Sequence, residues 1–225
     1  DENRLNGVAE QCRARGANTA VKTVDVTDRA GMETWLQRID EAQPVDLVVA
    51  NAGISAGTGG VMHGEDPMQV RRLFDVNLTG TFNTIEPLLP RMTGRRRGHI
   101  ALMSSLAGFR GWPGAPAYCA SKAAVKVYGE GLRGALAKTG VRIHVICPGF
   151  VKSRMTAIND YPMPFLMSAE KAAAVIARGI GKDKGRIAFP WPMAFGAWLS
   201  GALPEALAQR VLKNSPAKKA QRHSY

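Results

Sequence analysis

The chain has 225 residues, of which 45% are hydrophobic and 21% charged, and its formal net charge is +12. This length and composition predict one globular domain with a substantial core and exclude low-complexity and repeat proteins. The three cysteines are widely spaced, so neither a disulfide framework nor a cysteine metal site is indicated, and a reducing compartment is favoured. The excess positive charge predicts a solvated basic surface, because no nucleic-acid-binding motif or interleaved aromatic pattern accompanies it.

Helical and strand patterns alternate along the chain. The sequence predicts helices over residues 3–16, 28–42, 66–89, 115–140 and 168–180, and strands over residues 18–26, 45–50, 98–105, 141–149 and 186–190. Apolar strands joined by helical crossovers predict an α/β fold with a doubly wound parallel sheet that helices cover on both faces. Ligands of such sheets bind at the carboxyl ends of the strands.

Polar residues and glycines cluster directly after the predicted strands. The clusters occupy residues 25–28, 51–53, 104–105 and 148–153. Because the carboxyl ends of parallel strands share one edge of a sheet, these residues are expected to converge on one cleft. Three histidines, at positions 63, 99 and 144, show no metal or triad spacing, and no metal site is predicted.

Tyr118 and Lys122 are four residues apart on a predicted helix, so they share one face. A tyrosine hydroxyl has an ordinary pKa near 10, and an adjacent ammonium would lower that pKa by favouring the phenolate. The pair is therefore interpreted as a general acid with its pKa tuner, and the cleft around it suits a dinucleotide-dependent enzyme. The alternative is a half-buried tyrosine near a surface lysine.

Four side chains in order, Asn77, Ser105, Tyr118 and Lys122, carry a resemblance to a known family. Ser105 precedes Tyr118 by thirteen residues, and the stretches DVTD, NAG, VNLTGTF and CPGFVKS stand on matching elements. Over nearly all of residues 1–190 the chain resembles the short-chain dehydrogenase/reductase family. The resemblance implies a Rossmann-like domain and an oxidoreductase that interconverts a carbonyl and a secondary alcohol by hydride transfer. The alternatives are a non-catalytic or regulatory scaffold on this fold and an epimerase or dehydratase with a tightly held cofactor.

The resemblance also assigns roles to the catalytic residues. Tyr118 would exchange a proton with the substrate oxygen, Ser105 would hydrogen-bond that oxygen, and Lys122 would tune Tyr118 and bind the nicotinamide ribose. Asn77 would help to hold a water molecule that links Lys122 to solvent, with a helix-interior Asn bonding to nearby backbone as the alternative. Ser104 is interpreted as a structural neighbour.

The remaining cofactor contacts implied by the resemblance follow the strands. Asp25 and Val26 would bind the adenine, with an ordinary Asx turn as the alternative for Asp25. The other predicted contacts, to the ribose and the nicotinamide, are Asn51, Ala52, Gly53, Pro148, Gly149, Val151 and Ser153. Together with Tyr118 and Lys122 these residues make up the predicted cofactor site.

One departure from the family pattern concerns the first β-α-β unit. The family opens with a strand, a glycine-rich phosphate loop, a helix and a second strand, and this unit does not occur in the sequence. We therefore expect that roughly 30–40 further residues precede residue 1. The side chains that select between cofactors lie in that unit; the positive charge favours NADP(H), with NAD(H) as the alternative.

The substrate is expected to be apolar or lipid-like. Phe109, Trp112 and Pro113 precede Tyr118, and residues 154–168 are predicted to cover the site as a lid with the apolar side chains Met155, Met163, Phe165, Leu166 and Met167. The alternative is that these side chains pack on the sheet. The resemblance implies that the helix after Tyr118 pairs with the helix of Asn77 across a two-fold axis, and a homodimer or homotetramer is expected. The helix after Tyr118 is rich in small residues, which allow close helix approach: Ala120, Ala123, Ala124, Gly129, Gly131, Gly134 and Ala135.

Residues 191–225 form an extension beyond the predicted domain. No charged residue lies between Ile187 and Pro204, and a basic tail with Lys213, Lys218, Lys219 and Arg222 follows. Two short helices are predicted, which pack on the body or a neighbouring subunit or, alternatively, place Trp191 and Trp198 in the headgroup region of an anionic membrane. The expected location is cytoplasmic, with peripheral contact to the inner face of a membrane as the alternative.

Overall fold

Four parallel strands form a sheet in the computed structural model, which describes residues 1–59 and 64–212. The strands lie side by side in chain order: β1 (Leu47–Ala50), β2 (Gly98–Met103), β3 (Val141–Pro148) and β4 (Arg186–Phe189). Each neighbouring pair is parallel, with Ile100 of β2 opposite Val48 and Ile143. The predicted parallel α/β architecture is confirmed.

Helices connect and flank the strands. Their bounds are α1 Glu2–Arg13, α2 Arg29–Ala42, α3 Pro67–Phe74, α4 Gly80–Ile85, α5 Leu89–Gly94, α6 Pro116–Ala135, α7 Arg154–Ala157, α8 Ala169–Gly181, α9 Trp191–Ala202 and α10 Glu205–Leu212. Several begin where the sequence predicts: Asp28 accepts from Gly31 N–H, Asp66 accepts from Gln69 N–H, and Ser168 accepts from Lys171 N–H. These side chains satisfy amide groups that have no partner within a helix.

The prediction of a strand over residues 18–26 is wrong. This segment has no strand structure, and β1 forms an edge of the sheet at which Leu47 and Val49 are each 42% exposed. A parallel strand needs a neighbour for its backbone hydrogen bonds, and no strand of residues 1–59 or 64–212 pairs with this edge. The segment is held differently at its end, where Asn83 Nδ2 donates to the carbonyl of Val26 at 2.9 Å.

Both faces of the sheet carry apolar core. On one face Ile100, Leu102 and Ile143 pack against Leu88 and Val125. A second core cluster includes sheet residues such as Ala101, Ile146 and Ile187 together with residues of α8, among them Ala172. Alternate residues of a strand are buried on opposite faces of the sheet, which explains why the strand sequences are almost continuously apolar. Polar residues are found instead after the carboxyl ends of the strands.

The long helix predicted over residues 66–89 is interrupted. A five-residue π-helix, Asp75–Thr79, separates α3 from α4 and contains the buried residues Val76 and Asn77. Where the helix resumes, a Cβ atom on Gly80 would lie 2.7 Å from Cγ2 of Val26, so glycine allows the close approach of the 18–26 segment. Single-turn π segments occur frequently at functional sites.

The two predicted C-terminal helices are present as α9 and α10. Met193, Ala194 and Ala197 of α9 pack in a cluster with Leu106 and Phe109, which confirms that this helix packs on the body. The tail residues named above lie outside the described residues, as does His63. Of the helices in the described ranges, none is long and apolar enough to cross a bilayer.

Candidate active site

Ser105 and Tyr118 lie close together at the carboxyl edge of the sheet, where the Ser105 side chain is near enough to lower the pKa of Tyr118. Ser105 follows β2 and begins a 3-10 turn, in which its Oγ accepts from Ala107 N–H at 3.1 Å. Tyr118 lies in the first turn of α6. The turn approaches α6 closely at Gly108, where a Cβ atom would lie 2.8 Å from the carbonyl oxygen of Lys122. The fold thus brings together the two groups that the sequence separates by thirteen residues.

Lys122 is buried one turn further along α6. Its side chain donates from Nζ to the carbonyl oxygen of Met103 at 3.0 Å, and only 4% of the residue is exposed. Burial lowers the pKa of this ammonium to about 8. A Cβ atom on Gly53 would lie 3.2 Å from Lys122 Nζ and 3.1 Å from Asn77 Oδ1, so the glycine after β1 lies directly against both side chains.

Asn77 joins the loop after β1 to α6. Its Oδ1 accepts from Ile54 N–H at 2.8 Å, and its Nδ2 donates to the carbonyl of Ile54 at 3.0 Å and to Ser121 Oγ at 3.0 Å. The backbone that Asn77 binds is 23 residues away, so this asparagine does not merely bond to its own helix. Its side chain therefore positions the loop that begins at Asn51.

The pKa of Tyr118 differs from the sequence-based expectation. Burial raises it to about 12, and the Ser105 side chain only partly opposes this rise. The predicted lowering by Lys122 is not seen; the Nζ of Lys122 donates to the carbonyl oxygen of Met103. At neutral pH the hydroxyl is therefore protonated and can act as a proton donor.

Ser104 has the structural role that was predicted for it. Its Oγ donates to the carbonyl oxygen of Lys122 at 2.7 Å, and its N–H donates to Ile146 at 2.8 Å within the sheet. The side chain is therefore committed to holding α6 against β2.

Asp25 and Val26 lie beside Gly80 at the same edge of the sheet. Asp25 forms the Asx turn that was considered as the alternative: its Oδ1 accepts from Thr27 N–H at 2.9 Å and from Thr27 Oγ1 at 2.8 Å. Arg72 Nη2 donates to Oδ2 at 3.3 Å. The bonds from Thr27, followed by that from Arg72, hold the pKa of Asp25 below its ordinary value.

The other predicted cofactor residues follow β1 and β3. Asn51 and Ala52 are exposed next to Gly53. After β3, Gly149 N–H donates to the carbonyl of Phe189 at 2.7 Å, and Pro148 O lies 3.5 Å from Ser105 Oγ. Further along, Val151 forms an isolated bridge with Met167, and the exposed Ser153 caps α7 through a reciprocal pair of bonds with Thr156.

Sequence reasoning missed an aromatic cluster near Tyr118. The ring of Tyr161, from the predicted lid, lies 5.6 Å from that of Trp112 and 6.3 Å from that of Phe150, and Tyr161 is close enough to raise the pKa of Tyr118 further. The sequence carried a signal for this cluster, because both aromatic residues stand in segments predicted to lie at the site: Phe150 within CPGFVKS and Tyr161 within the lid. Of the lid side chains that were predicted, Phe165 and Leu166 are exposed, whereas Met167 packs on the sheet.

His99 and His144 form a structural pair. His99 Nδ1 lies 2.9 Å from His144 Nε2, and His144 Nδ1 lies 2.8 Å from the carbonyl oxygen of Lys184. Within residues 1–59 and 64–212, no group of three or more His, Cys, Asp or Glu side chains is arranged to hold a metal ion.

Residues 1–161 match the family model described as short chain dehydrogenase. The chain belongs to the short-chain dehydrogenase family. It is 40% identical over 204 residues to an "uncharacterized oxidoreductase" of Myxococcus xanthus, which is 90% of this chain and 80% of that protein. Estradiol 17-beta-dehydrogenase 11 of Mus musculus is 29% identical over 218 residues, 95% of this chain and 72% of that protein. As a member of this family, the protein is an oxidoreductase.

Solved short-chain dehydrogenases share the fold. A short-chain dehydrogenase from Burkholderia cenocepacia J2315, in complex with NADP, has a TM-score of 0.74 at 22% identity, with 86% of this chain and 80% of that chain covered. At this identity the likeness confirms the Rossmann-like architecture of the described residues.

Proposed function

We propose that the protein interconverts a carbonyl and a secondary alcohol with NADP(H), and that Tyr118 is the general acid and base. The proximity of the Ser105 side chain to the Tyr118 hydroxyl carries this proposal. Since burial keeps Tyr118 protonated at neutral pH, its hydroxyl can give a proton to a carbonyl oxygen while the Ser105 hydroxyl stabilises the developing negative charge. In the oxidative direction Tyr118 would take the proton back.

The residues around Lys122 fit a nicotinamide nucleotide. An ammonium has three donors, of which one is directed to Met103 O. A side chain at Gly53 would crowd Lys122 Nζ and Asn77 Oδ1, so glycine allows the loop after β1 to pass close to both. Lys122 would bind the nicotinamide ribose, and the backbone of residues 51–53 would pass the adenosine ribose. When bound, the nicotinamide supplies or accepts the hydride.

The other cofactor contacts keep their proposed roles. Pro148 and Gly149 would lie beneath the nicotinamide, and Val151 and Ser153 would meet its carboxamide. Asp25 would accept from the adenine amino group while the Val26 N–H donates to the ring. The bond from Asn83 to Val26 O supports the role of Val26, because it holds this backbone in one orientation.

NADP(H) is favoured over NAD(H). The net charge of +12 suits a cofactor with an additional phosphate, and the related Burkholderia structure contains NADP. The test is to measure the dissociation constants of NADPH and NADH by quenching of tryptophan fluorescence. Tighter binding of NADH would contradict the preference.

An apolar or lipid-like substrate is proposed. The cluster of Trp112, Phe150 and Tyr161 supplies an apolar surface beside Tyr118, and the similar mouse protein is named for a steroid. Oxidation of NADPH should be measured over a panel of ketones of increasing chain length. We expect kcat/KM to rise with apolar size; a preference for short polar carbonyls would contradict this, and no turnover of any carbonyl would favour the scaffold alternative.

A homodimer or homotetramer is proposed from the outer face of α6. Val127 is 61% exposed there, and Ala120 and Gly131 are exposed on the same helix. Gly129 does not contribute to this outer face: a Cβ atom on Gly129 would lie 2.6 Å from Cγ2 of Val145, so this glycine allows α6 to pack on the sheet.

Contact with an anionic membrane is proposed for the outer face of α9. Trp191 is 74% exposed, and its ring stacks on that of Phe195 at 5.8 Å, which in turn lies 5.9 Å from the ring of Trp198. No acidic residue lies in α9, and the chain that follows is basic. Aromatic side chains next to basic residues favour the headgroup region of anionic lipid.

A further inference from the structure

Glu65 places a carboxylate at the first turn of α6, the helix that carries Tyr118. Its Oε2 accepts from Ala117 N–H at 2.7 Å, one residue before the tyrosine. The helix has no side-chain cap of its own, because Ala115 stands at the N-cap and Pro116 follows. The first amide groups of a helix have no partner within the helix, so this helix obtains one from a residue 52 positions earlier in the chain.

Residues near Glu65 hydrogen-bond the loop after β1 to the start of α6. Gln69, buried one turn beyond Glu65, donates from Nε2 to the carbonyl of Gly57 at 3.1 Å and lies 3.5 Å from Glu65 Oε1. Thr58 N–H donates to the carbonyl of Gly114 at 3.1 Å. The loop that passes Lys122 and the turn that precedes Tyr118 are therefore held against each other.

A carboxylate is well suited to this position. The N-terminal end of a helix carries partial positive charge, so a negative acceptor is stabilised there beyond the hydrogen bond alone. Glu65 is half-buried, and this burial raises its pKa, whereas the bonds from Ala117 and Gln69 oppose the rise.

We propose that Glu65 is a positioning residue, which acts through Ala117 N–H to fix the first turn of α6 so that the Tyr118 hydroxyl meets Ser105. The inference rests on the proposed role of Tyr118 as general acid. Since Glu65 is placed to orient the proton donor, its loss should lower kcat and leave KM and cofactor affinity nearly unchanged.

The test compares Glu65→Ala with Glu65→Gln in the full chain. Kinetics use NADPH and the ketone that wild type reduces best, and NADPH affinity is measured by fluorescence. We expect Glu65→Ala to lower kcat about tenfold with KM and affinity within about twofold, and Glu65→Gln to retain most of kcat because its amide oxygen still accepts from Ala117 N–H. Asp40→Asn is the control: it removes the charge of a buried carboxylate that pairs with Arg95 Nη1 at 2.9 Å at the opposite end of the sheet, so this change should lower stability without changing kcat.

A second readout does not depend on turnover. With ¹³C-labelled tyrosine, the Cζ resonance of Tyr118 should shift in Glu65→Ala and remain near its wild-type position in Glu65→Gln. An active wild type with unchanged kcat and resonance in Glu65→Ala, or equal losses in both variants, would overturn the positioning role. An inactive wild type would instead overturn the proposed function, and the resonance would still decide whether Glu65 positions Tyr118.

Discussion

The buried side-chain amide of Asn77 hydrogen-bonds both the N–H and the carbonyl of Ile54, 23 residues earlier in the chain. This pairing resembles that of one strand with another, but a side chain replaces the second backbone. It depends on the π-helical segment Asp75–Thr79, in which Asn77 is fully buried. The loop after β1 therefore takes its position from the middle of a helix.

Asn77→Ala should reduce both stability and turnover. The change leaves both backbone groups of Ile54 without their partner, and we expect a loss of about 2–3 kcal/mol in the free energy of unfolding. Turnover should fall about tenfold, because the loop beside Lys122 is released. Urea denaturation and steady-state kinetics provide the measurements.

Asn83→Ala is the matched comparison for that change. Asn83 is also buried but donates to Val26 O, so we expect a smaller loss, of about 1 kcal/mol, and weaker NADPH binding with little effect on kcat. Identical effects of the two variants would contradict the separate roles of the two asparagines.

Tyr118→Phe should lower kcat by at least about a hundredfold, because it removes the proton donor and keeps the ring. NADPH binding should be retained, since the proposed ribose contacts belong to Lys122. Stopped-flow measurement of NADPH oxidation with the preferred ketone gives the rate, and fluorescence gives the affinity. Turnover near that of wild type would refute the assignment of Tyr118.

Lys122→Met should stabilise the protein at neutral pH. Burial lowers the pKa of Lys122 from 10.5 to about 8, which disfavours the ammonium in the folded state by about 3 kcal/mol below pH 8. Between pH 8 and 10.5 the unfolded chain binds the additional proton, so this contribution makes the wild type more stable as pH rises. In Lys122→Met the free-energy cost of the buried ammonium is absent, but Met103 O loses its hydrogen-bond partner, which lowers the free energy of unfolding by about 1 kcal/mol.

We therefore expect Lys122→Met to raise the free energy of unfolding by about 2 kcal/mol at pH 7 and to lose this gain near pH 10. Urea denaturation of both proteins at the two pH values is the measurement. The raised pKa of Tyr118, to which Lys122 does not contribute, affects both proteins and cancels in the difference. A gain that does not depend on pH would show that the charge of Lys122 is not its cause.

Val127→Arg should dissociate the proposed oligomer, because it places a charge on the exposed apolar face of α6. Light scattering at micromolar concentration should give the mass of a monomer for the variant and of a dimer or tetramer for the wild type. Val8→Arg on α1 alters a comparably exposed valine and should leave the mass unchanged. A monomeric wild type would contradict the proposed assembly.

Replacing both Trp191 and Trp198 with Ser should abolish sedimentation of the full chain with phosphatidylglycerol vesicles. The indole rings are the two most exposed large apolar groups of α9, which also exposes Phe195 and Leu199. Without the rings, the basic tail gives only an electrostatic attraction, which salt screens. Ile158→Ser, which replaces an exposed apolar residue of the lid, serves as the control and should sediment like the wild type. Phosphatidylcholine vesicles should bind neither the wild type nor the tryptophan variant. Negligible sedimentation of the wild type with both vesicle types would leave α9 as a helix that packs on the body or on a neighbouring subunit.

The sequence by itself determined the features that depend on neighbouring residues. Capping side chains, glycine and proline positions and apolar periodicity located most helices and four of the five predicted strands. The short motifs from DVTD to CPGFVKS, taken together and in order, carried the resemblance to the family. Each of these signals acts within a few turns of chain, so no long-range contact is needed to read it.

Only the tertiary structure decided the features that depend on distant partners. Residues 18–26 have strand composition but no neighbouring strand to bond with, and the helix of Asn77 is interrupted where its side chain reaches Ile54. Burial, which sequence spacing does not specify, raises the pKa of Tyr118 and lowers that of Lys122. The bond from Glu65 to Ala117 likewise exists because the fold brings together two segments 52 residues apart, and no local pattern encodes that contact.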